Sequence, residues 1–175
     1  MKEFMFETER LRLRRFSDDD AAFIRELVND AAFLRYIGDK GVRNDADAVA
    51  YIQNGPVASY ERFGFGLYAI ELKETGETIG MSGLLKRDSL PDADVGFAFL
   101  PKFRAQGYAV ESGRGVIKYA RESLRLSRLL AITTPDNIDS IRVLEKIGLH
   151  FEEMVSINPG DPELKLFALD MTGSS

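Results

Sequence analysis

Apolar residues along this chain recur with a period of two in some stretches and with a helical period in others. Near the start, Leu11 and Leu13 alternate with Arg10, Arg12 and Arg14. A period of two predicts a half-buried strand, here with a basic outer face. The simplest interpretation is that these arginines are solvated, and the alternative is that they steer an anionic ligand toward the protein.

A helical period follows this strand. Ser17 precedes three consecutive aspartates, and apolar residues then recur at helical spacing, which predicts a helix capped by Ser17 and ending near Asn29. Two further helices are predicted, one around residues 46–52 and one around residues 57–60. Pro56 lacks a backbone N–H, so we expect it to break or restart the helical run.

Strands dominate the rest of the pattern. Apolar runs bounded by turn residues predict strands at 65–72, 78–85, 95–100, 129–132, 151–157 and 164–169. Short turns join the first three, which predicts an antiparallel meander. Helical spacing predicts helices from near Tyr108 to Leu124 and from Ile138 to Ile147, so a helix connects strands 95–100 and 129–132 in a parallel crossover.

These elements predict an α/β fold in which a mixed, mostly antiparallel sheet of about six to seven strands is flanked by helices. With 175 residues, 45% of them hydrophobic and 29% charged, the chain fits a single domain over residues 1–175. Gly113 and Gly115 each weaken the helix after Tyr108 by up to about 1 kcal/mol relative to alanine. We expect their small size to allow close packing against the sheet or a ligand.

The composition excludes several kinds of chemistry. The chain has no cysteine, which rules out disulfides, thiolate metal sites and a cysteine nucleophile, and its single histidine, His150, rules out a multi-histidine metal site. No apolar run approaches the roughly 18 residues that span a bilayer, and residues 1–7 lack the apolar core of a signal peptide, so a cytoplasmic protein is expected. The net charge of −5 argues against broad nucleic-acid binding.

One stretch, residues 100–109, stands between a predicted strand and a predicted helix. A turn in that position presents successive backbone N–H groups at a helix N-terminus, which can hold an anion such as phosphate. Gly107 and Ala109 allow the backbone to approach a ligand closely, and Arg104 adds a positive charge. The alternative is an ordinary junction between a strand and a helix, because one glycine alone is a weak signal.

Within this stretch, Arg104-Ala105-Gln106-Gly107-Tyr108-Ala109 resembles the Arg/Gln-x-x-Gly-x-Gly/Ala loop of the GNAT superfamily of N-acetyltransferases. The resemblance extends over nearly the whole chain, and it is closest to the branch that contains the ribosomal-protein N-terminal acetyltransferases. The other stretches that carry it are Thr8-Glu9-Arg10-Leu11-Arg12-Leu13-Arg14, Asp94-Val95-Gly96-Phe97, Asn137-Ile138-Asp139-Ser140 and Lys146-Ile147-Gly148-Leu149.

The resemblance implies a GNAT-like fold and acetyl-CoA as the acetyl donor, with its pyrophosphate on the loop of residues 104–109. It implies that Asn137 holds the pantetheine arm, although the same amide can instead cap its own helix. It also implies that the backbone of the strand carrying Phe97 and Phe99 pairs with that arm, while their side chains can be no more than core. The branch commonly has threonine where this chain has Val110, so one hydroxyl contact to phosphate is missing.

Acetyl transfer requires a neutral amine, stabilisation of the oxyanion that forms, and a route for the thiolate to leave. The resemblance places Asp94 where many of these enzymes carry a carboxylate that accepts a proton through water. His150, Glu152 and Glu153 are weaker candidates. The resemblance places Ser140 where its hydroxyl hydrogen-bonds the departing sulfur. A backbone α-amine, with a pKa of about 7.7 to 8.0, tolerates a weaker base than a lysine side chain does.

The leading hypothesis is therefore an acetyl-CoA-dependent N-acetyltransferase that transfers the acetyl group directly to an amine, without a metal or a covalent enzyme intermediate. The acceptor is a protein N-terminus or a small molecule, and the protein is a monomer or homodimer that binds neither nucleic acid nor membrane. The alternative is a regulatory or interaction module with weak or no turnover, because Leu144 stands where many family members have a tyrosine acid. Phosphoryl transfer is disfavoured because the loop lacks a Gly-Lys-Ser/Thr ending.

Overall fold

The computed structural model describes residues 2–172, whose strands form one sheet. In this part of the chain the strands are β1 Phe4–Glu7, β2 Leu11–Arg14, β3 Leu67–Leu72, β4 Thr78–Leu85, β5 Asp94–Phe99, β6 Arg128–Thr133, β7 His150–Val155 and β8 Leu164–Asp170. The α-helices are α1 Ala21–Val28, α2 Ala31–Tyr36, α3 Asp45–Ile52, α4 Ala58–Phe63, α5 Tyr108–Glu122 and α6 Ile138–Lys146. None of the helices within residues 2–172 is long and apolar enough to cross a membrane.

The eight strands lie side by side in the order β1-β2-β3-β4-β5-β6-β8-β7. Strands β5 and β6 are parallel and all other neighbours are antiparallel, which confirms the α/β class, the meander β3-β4-β5 and the crossover through α5. The predicted strand count is too low because β1 was not expected. This strand has four residues, and its register with β2 shifts between Phe4 and Phe6, so its alternation is too short to stand out in the sequence.

The expectation that Pro56 breaks or restarts the helix is confirmed, because α3 ends at Ile52 and α4 begins at Ala58, but the chain does not turn between them. The chain continues from α3 through a π-helical turn, Gln53–Val57, into α4, and Gly64 in the left-handed region ends this helical run. Proline removes one hydrogen-bond donor, and the wider π-helical turn accommodates the interruption without reversing the chain. Like β1, the short helix α2 was not predicted. It begins where the Asp30 side chain accepts hydrogen bonds from the N–H groups of Ala32 and Phe33.

The arginines of β2 do not form one solvated face. Arg14 is 3% exposed, and its guanidinium donates to Asp20 at 2.9 and 2.8 Å and to Glu71. Strand β2 lies between β1 and β3, and the turn at Asp20 covers the end of Arg14, so that this charge is buried with two carboxylates. Arg12 follows the prediction more closely, because its side chain is 42% exposed and pairs with Glu7.

Helix α5 packs on β4 and β5 and brings two glycines against its neighbours. A Cβ atom at Gly113 would lie 3.0 Å from Ile147, which follows α6, and one at Gly115 would lie 2.9 Å from both Phe6 and Thr8. The expectation that these glycines permit close packing is therefore confirmed. The partners are α6 and the β1–β2 segment, so α5 is held on both sides, and its N-terminus has a fixed position.

The two parallel strands separate soon after they meet. The only position paired between them within residues 2–172 is Asp94 with Leu130, and the Leu130 N–H also donates to the Ala93 carbonyl at 2.9 Å. Backbone groups alternate in direction along a strand, so those of Val95 and Phe97 point toward β6 like that of Ala93. Beyond Asp94 no further position of β5 pairs with β6 within residues 2–172, so these groups face an unpaired gap between the C-terminal parts of the two strands.

Candidate active site

The connection from β5 to α5 forms a turn with two residues in the left-handed region. Ala105 has a φ of 59° and Gly107 a φ of 87°. Gly107 precedes α5, no side chain caps this helix, and its first hydrogen bond is donated by Glu111. The N–H groups of Tyr108, Ala109 and the following residue thus have no helical acceptor. Such a 15-residue helix with an uncapped N-terminus provides donors and a partial positive charge for an anion.

Arg10 supplies a positive side chain that contacts this turn. Its guanidinium lies over the Tyr108 ring at 4.3 Å, donates to the Gln106 carbonyl at 3.1 Å and donates to Glu111 at 2.7 Å. A Cβ atom at Gly107 would lie 3.2 Å from Nη2 of Arg10. The sequence assigned Arg10 to a basic strand face, with the attraction of an anionic ligand as the alternative, and the position of its side chain favours that alternative.

Glu111 fixes Arg10 in this position. It accepts hydrogen bonds from the Thr8 hydroxyl at 2.5 Å and from the Arg10 N–H at 2.8 Å, in addition to the bond from the guanidinium. Burial opposes ionisation of Glu111, but these hydrogen bonds from Thr8 and Arg10 outweigh it and lower the pKa of the carboxyl group. The Thr8-Glu9-Arg10 segment is therefore tied to the first turn of α5, about a hundred residues later in the chain.

Arg104 does not extend its charge over the turn. Its Nε donates to the Phe99 carbonyl at 3.0 Å, and its Nη2 pairs with Asp30, the residue that caps α2. The arginine predicted to contribute charge to the anion site therefore connects the end of β5 to the helical segment. Gln106 is also engaged within the loop, since its side-chain amide donates to the Lys102 carbonyl at 2.8 Å.

A groove of about 670 Å³ continues from Gly107 along the outer face of α5. Arg114, Lys118 and Lys146 line it together with Arg10, and none of these first three has a carboxylate partner among residues 2–172. Arg114 donates instead to the Lys146 carbonyl at 3.3 Å. Glu7, Glu9 and Glu111 line the same groove, so its four cations exceed its carboxylates by one, and this excess favours a second anionic group of a ligand. The spacing of the cations on α5 was visible in the sequence, but Lys146 reaches the groove only through tertiary packing.

Phe97 and Phe99 were predicted to bind the donor through the backbone of their strand, and the two residues differ in whether that backbone is available. The Phe99 ring is buried over Gly80 and its carbonyl is occupied by Arg104, so its side chain belongs to the core. Phe97 is half-buried on β5, where its backbone groups face the gap. An extended ligand in the gap could pair with this strand edge as another strand would.

Asn137 and Ser140 lie at the start of α6, which follows the C-terminal end of β6. The Asn137 Oδ1 accepts from the Ser140 N–H at 3.2 Å, so the amide oxygen caps the helix and leaves its NH₂ group for a ligand. Ser140 is half-buried, and its Oγ makes no hydrogen bond within the described chain. Leu144, one turn farther along α6, is 1% exposed and belongs to the core.

Asp94 is buried at the point where β5 and β6 meet. Its residue exposure is 1%, and Arg87 donates to its two oxygens at 3.2 and 3.3 Å. Burial raises the pKa of Asp94 to about 6, although the charges of Arg87 and Lys86 oppose this change. A carboxyl group with this pKa can accept a proton near neutral pH.

The weaker base candidates lie elsewhere. His150, Glu152 and Glu153 are exposed on β7, the edge strand, and β8 separates them from β6. Glu152 also accepts from Arg128 at 2.7 and 2.6 Å. By topology, residues 104–109, Phe97, Asn137 and Ser140 lie at or near the C-terminal ends of β5 and β6, Asp94 lies at the start of β5, and the β7 candidates lie apart from both.

A parallel strand pair with an unpaired edge, next to an uncapped helix N-terminus, places an anion site beside a strand edge that can bind an extended ligand. The chain matches the model of the acetyltransferase (GNAT) domain over residues 10–150, and it belongs to this family. It is 29% identical over 145 residues to the uncharacterized N-acetyltransferase YnaD of Bacillus subtilis (strain 168), with 83% of this chain and 82% of that protein covered.

Solved structures agree with this family. The acetyltransferase from Agrobacterium tumefaciens str. C58 is 27% identical, with a TM-score of 0.79 over 94% of this chain and 92% of that one. RimL, a ribosomal L7/L12 alpha-N-protein acetyltransferase, has a TM-score of 0.81 over 97% and 95% of the two chains, but at 16% identity it shows similarity of fold alone. The chain is an acetyl-CoA-dependent N-acetyltransferase.

Proposed function

We propose that this enzyme transfers the acetyl group of acetyl-CoA directly to the amine of a protein N-terminus or a small molecule, and that it stands closest to the ribosomal-protein branch of the family. The observation that carries the proposal is the shared edge of the β5–β6 gap. The uncapped start of α5 lies on one side of this edge, and the Ser140 hydroxyl lies on the other. Acetyl-CoA supplies an activated thioester when bound.

Each side of the gap has a distinct role in this proposal. The backbone of residues 105–109 binds the pyrophosphate, Arg10 and the groove cations balance the remaining negative charge, and the Phe97 backbone and Asn137 NH₂ group hold the pantetheine arm. The Ser140 hydroxyl donates to the sulfur as it leaves. Asp94 lies beside Leu130, about 10 Å along β6 from the end of that strand at 3.3 Å per residue, so in this proposal it accepts the proton through a chain of more than one water.

An acceptor screen tests this function. The protein is incubated with acetyl-CoA and a panel of peptides with free α-amines, polyamines and other amine metabolites, and acetylated products are detected by mass. Acetylation of at least one amine supports the proposal. Tight binding of coenzyme A in calorimetry without transfer to any acceptor would instead support the regulatory module.

The proposed role of Arg10 predicts a change in donor affinity. Arg10→Gln removes the charge beside Gly107, and we expect the Kd for acetyl-CoA to rise about five- to tenfold because a partly exposed charged hydrogen bond contributes modestly. The matched control is Arg12→Gln, since Arg12 lies two residues farther along the chain, in β2, and pairs with Glu7. Calorimetry measures both. Equal affinities in the two variants would remove Arg10 from the donor site.

The raised pKa of Asp94 predicts how the rate depends on pH. Only the carboxylate accepts a proton, so kcat/KM for an α-amine acceptor should rise with pH through about 6 in the parent. Asp94→Asn should lose the rise of kcat/KM through pH 6. Its kcat/KM at pH 7.5 should be about tenfold lower and not lower still, because a neutral α-amine tolerates a weak base.

The same substitution has a readout independent of activity. The pKa of Asp94 is higher in the folded protein than its ordinary value of 3.8, so its contribution to stability is present at low pH and is lost as pH rises through about 6. The Tm of Asp94→Asn relative to the parent should therefore increase between pH 4 and pH 7, measured by thermal unfolding at about 1-unit pH steps. A constant Tm difference would contradict the raised pKa.

A further inference from the structure

Helix α2 is attached by ion pairs to the connections that follow both strands of the gap. Asp30, at its N-terminus, pairs with Arg104 in the β5–α5 connection. Near its C-terminus, Nη2 of Arg35 lies 3.4 Å from Oδ2 of Asp136 in the β6–α6 connection. Because β5 and β6 are parallel, both connections leave the sheet at the same edge. We call α2, with these two attachments, the strap.

The two attachments differ in strength. The Arg35 and Asp136 side chains are 66% and 63% exposed, and such pairs contribute little. The Asp30 side chain is only 11% exposed, and it also accepts from the N–H groups of Ala32 and Phe33 at 3.1 and 3.2 Å. Burial opposes ionisation of Asp30, but the hydrogen bonds from Arg104 and from the backbone outweigh it and lower the pKa of the carboxyl group. The attachment at Asp30 therefore dominates.

Arg104 joins three parts of the site with one side chain. Its Nε binds the carbonyl of Phe99 at the end of β5, its Nη2 binds Asp30 of the strap, and its own backbone enters the turn at Ala105. An anion that binds the N–H groups after Gly107 restricts this turn. The bound anion thereby limits the motion of the Arg104 backbone. Because the Arg104 side chain binds Asp30, the motion of the N-terminus of α2 is limited as well.

We propose that Asp30 and Arg104 are positioning residues that couple acetyl-CoA binding to the order of α2. The inference rests on the proposed function, because the donor must occupy the β5–α5 turn. Coupling requires that the ligand interact differently with two states of the strap. The ordered strap retains the Asp30–Arg104 pair, and the donor favours it because the same turn holds the anion.

Hydrogen exchange of the full chain with and without coenzyme A tests the coupling without a known acceptor. In the parent, the amides of Leu34 and Ile37, which donate to Asp30 and Phe33 in α2, should exchange more slowly when coenzyme A is bound. Asp30→Asn retains an oxygen that can cap the helix but removes the charge that pairs with Arg104. This variant should bind coenzyme A within about fivefold of the parent affinity and lose the added protection of α2.

A control and a second variant separate the coupling from helix stability. Asp45→Asn makes the same Asp-to-Asn change in an exposed pair with Arg25, between α1 and α3, and should retain the added protection of α2. Asp30→Asn could unfold α2 by itself, so a second variant is needed that leaves the Asp30 cap intact. Arg104→Lys does so but removes the guanidinium that binds both Phe99 and Asp30, and it should therefore lose the added protection of α2.

The outcomes distinguish this inference from the proposed function. If calorimetry shows no binding of coenzyme A to the parent, the proposed function is wrong, and the coupling with it. If coenzyme A binds but α2 exchanges at the same rate, only the coupling is overturned. An equal gain of protection in the parent and in Arg104→Lys would also overturn it.

Discussion

Gly107→Val is expected to weaken acetyl-CoA binding about a hundredfold while the fold survives. Two charged hydrogen bonds from the turn, each contributing about 1.5 kcal/mol or more, account for this factor if the branched side chain prevents them from forming. Gly107 has a φ of 87°, which disfavours a side chain, and its Cβ position lies 3.2 Å from Arg10. Valine therefore both strains the turn and occupies the space in front of the N–H groups.

Gly160→Val is the matched control for this prediction. Gly160 also has a φ of 87°, but nothing lies within 4 Å of its Cβ position, and it belongs to the connection between β7 and β8. Calorimetry with acetyl-CoA and circular dichroism are measured for the parent and both variants. The Gly160 variant should bind as the parent does. If the Gly107 variant also binds with the parent affinity and has the same circular dichroism, the pyrophosphate lies elsewhere.

The parts of the site that are formed by residues close together in the sequence could be predicted. The β5–α5 turn contains its own glycine and lies between a clear strand and a clear helix, so its anion site follows from local backbone chemistry. The start of α6 is similar, because Asn137 caps the helix three residues before Ser140. The parallel crossover that brings these two helix N-termini to one edge follows from the order of strands and helices.

The parts that depend on long-range contacts could not be predicted. Arg10 and Glu111 are 101 positions apart, and Asp30 and Arg104 are 74 positions apart. Nothing in the local pattern shows that Arg10 would contact the turn, or that the side chain of Arg104 would point away from it. Pro56 interrupts the regular helix as predicted, but the sequence did not show that a π-helical turn would join the two α-helices without a change in chain direction.

Ser140→Ala is expected to lower kcat about a hundredfold with little change in acetyl-CoA affinity, because a single lost donor at a developing anion has an effect of this size. The Ser140 Oγ makes no hydrogen bond within the described chain, whereas its N–H is used by the Asn137 cap. Alanine therefore retains the cap and removes only the group proposed to face the sulfur. Leu144 is buried in the core, so α6 offers no acid at that position to replace the hydroxyl.

The measurement requires an acceptor from the screen, followed by steady-state rates and direct acetyl-CoA binding for the parent, Ser140→Ala and Ser140→Thr. Threonine keeps a hydroxyl at this position, so Ser140→Thr should recover most of the kcat that Ser140→Ala loses. If the serine has only a structural role, Ser140→Thr should not have a higher kcat than Ser140→Ala. A water molecule that takes the place of the hydroxyl would make the loss smaller than a hundredfold. Unchanged turnover of Ser140→Ala, with chemistry shown to be rate-limiting, would exclude Ser140 from the mechanism, and the sulfur would then have to be stabilised by water alone.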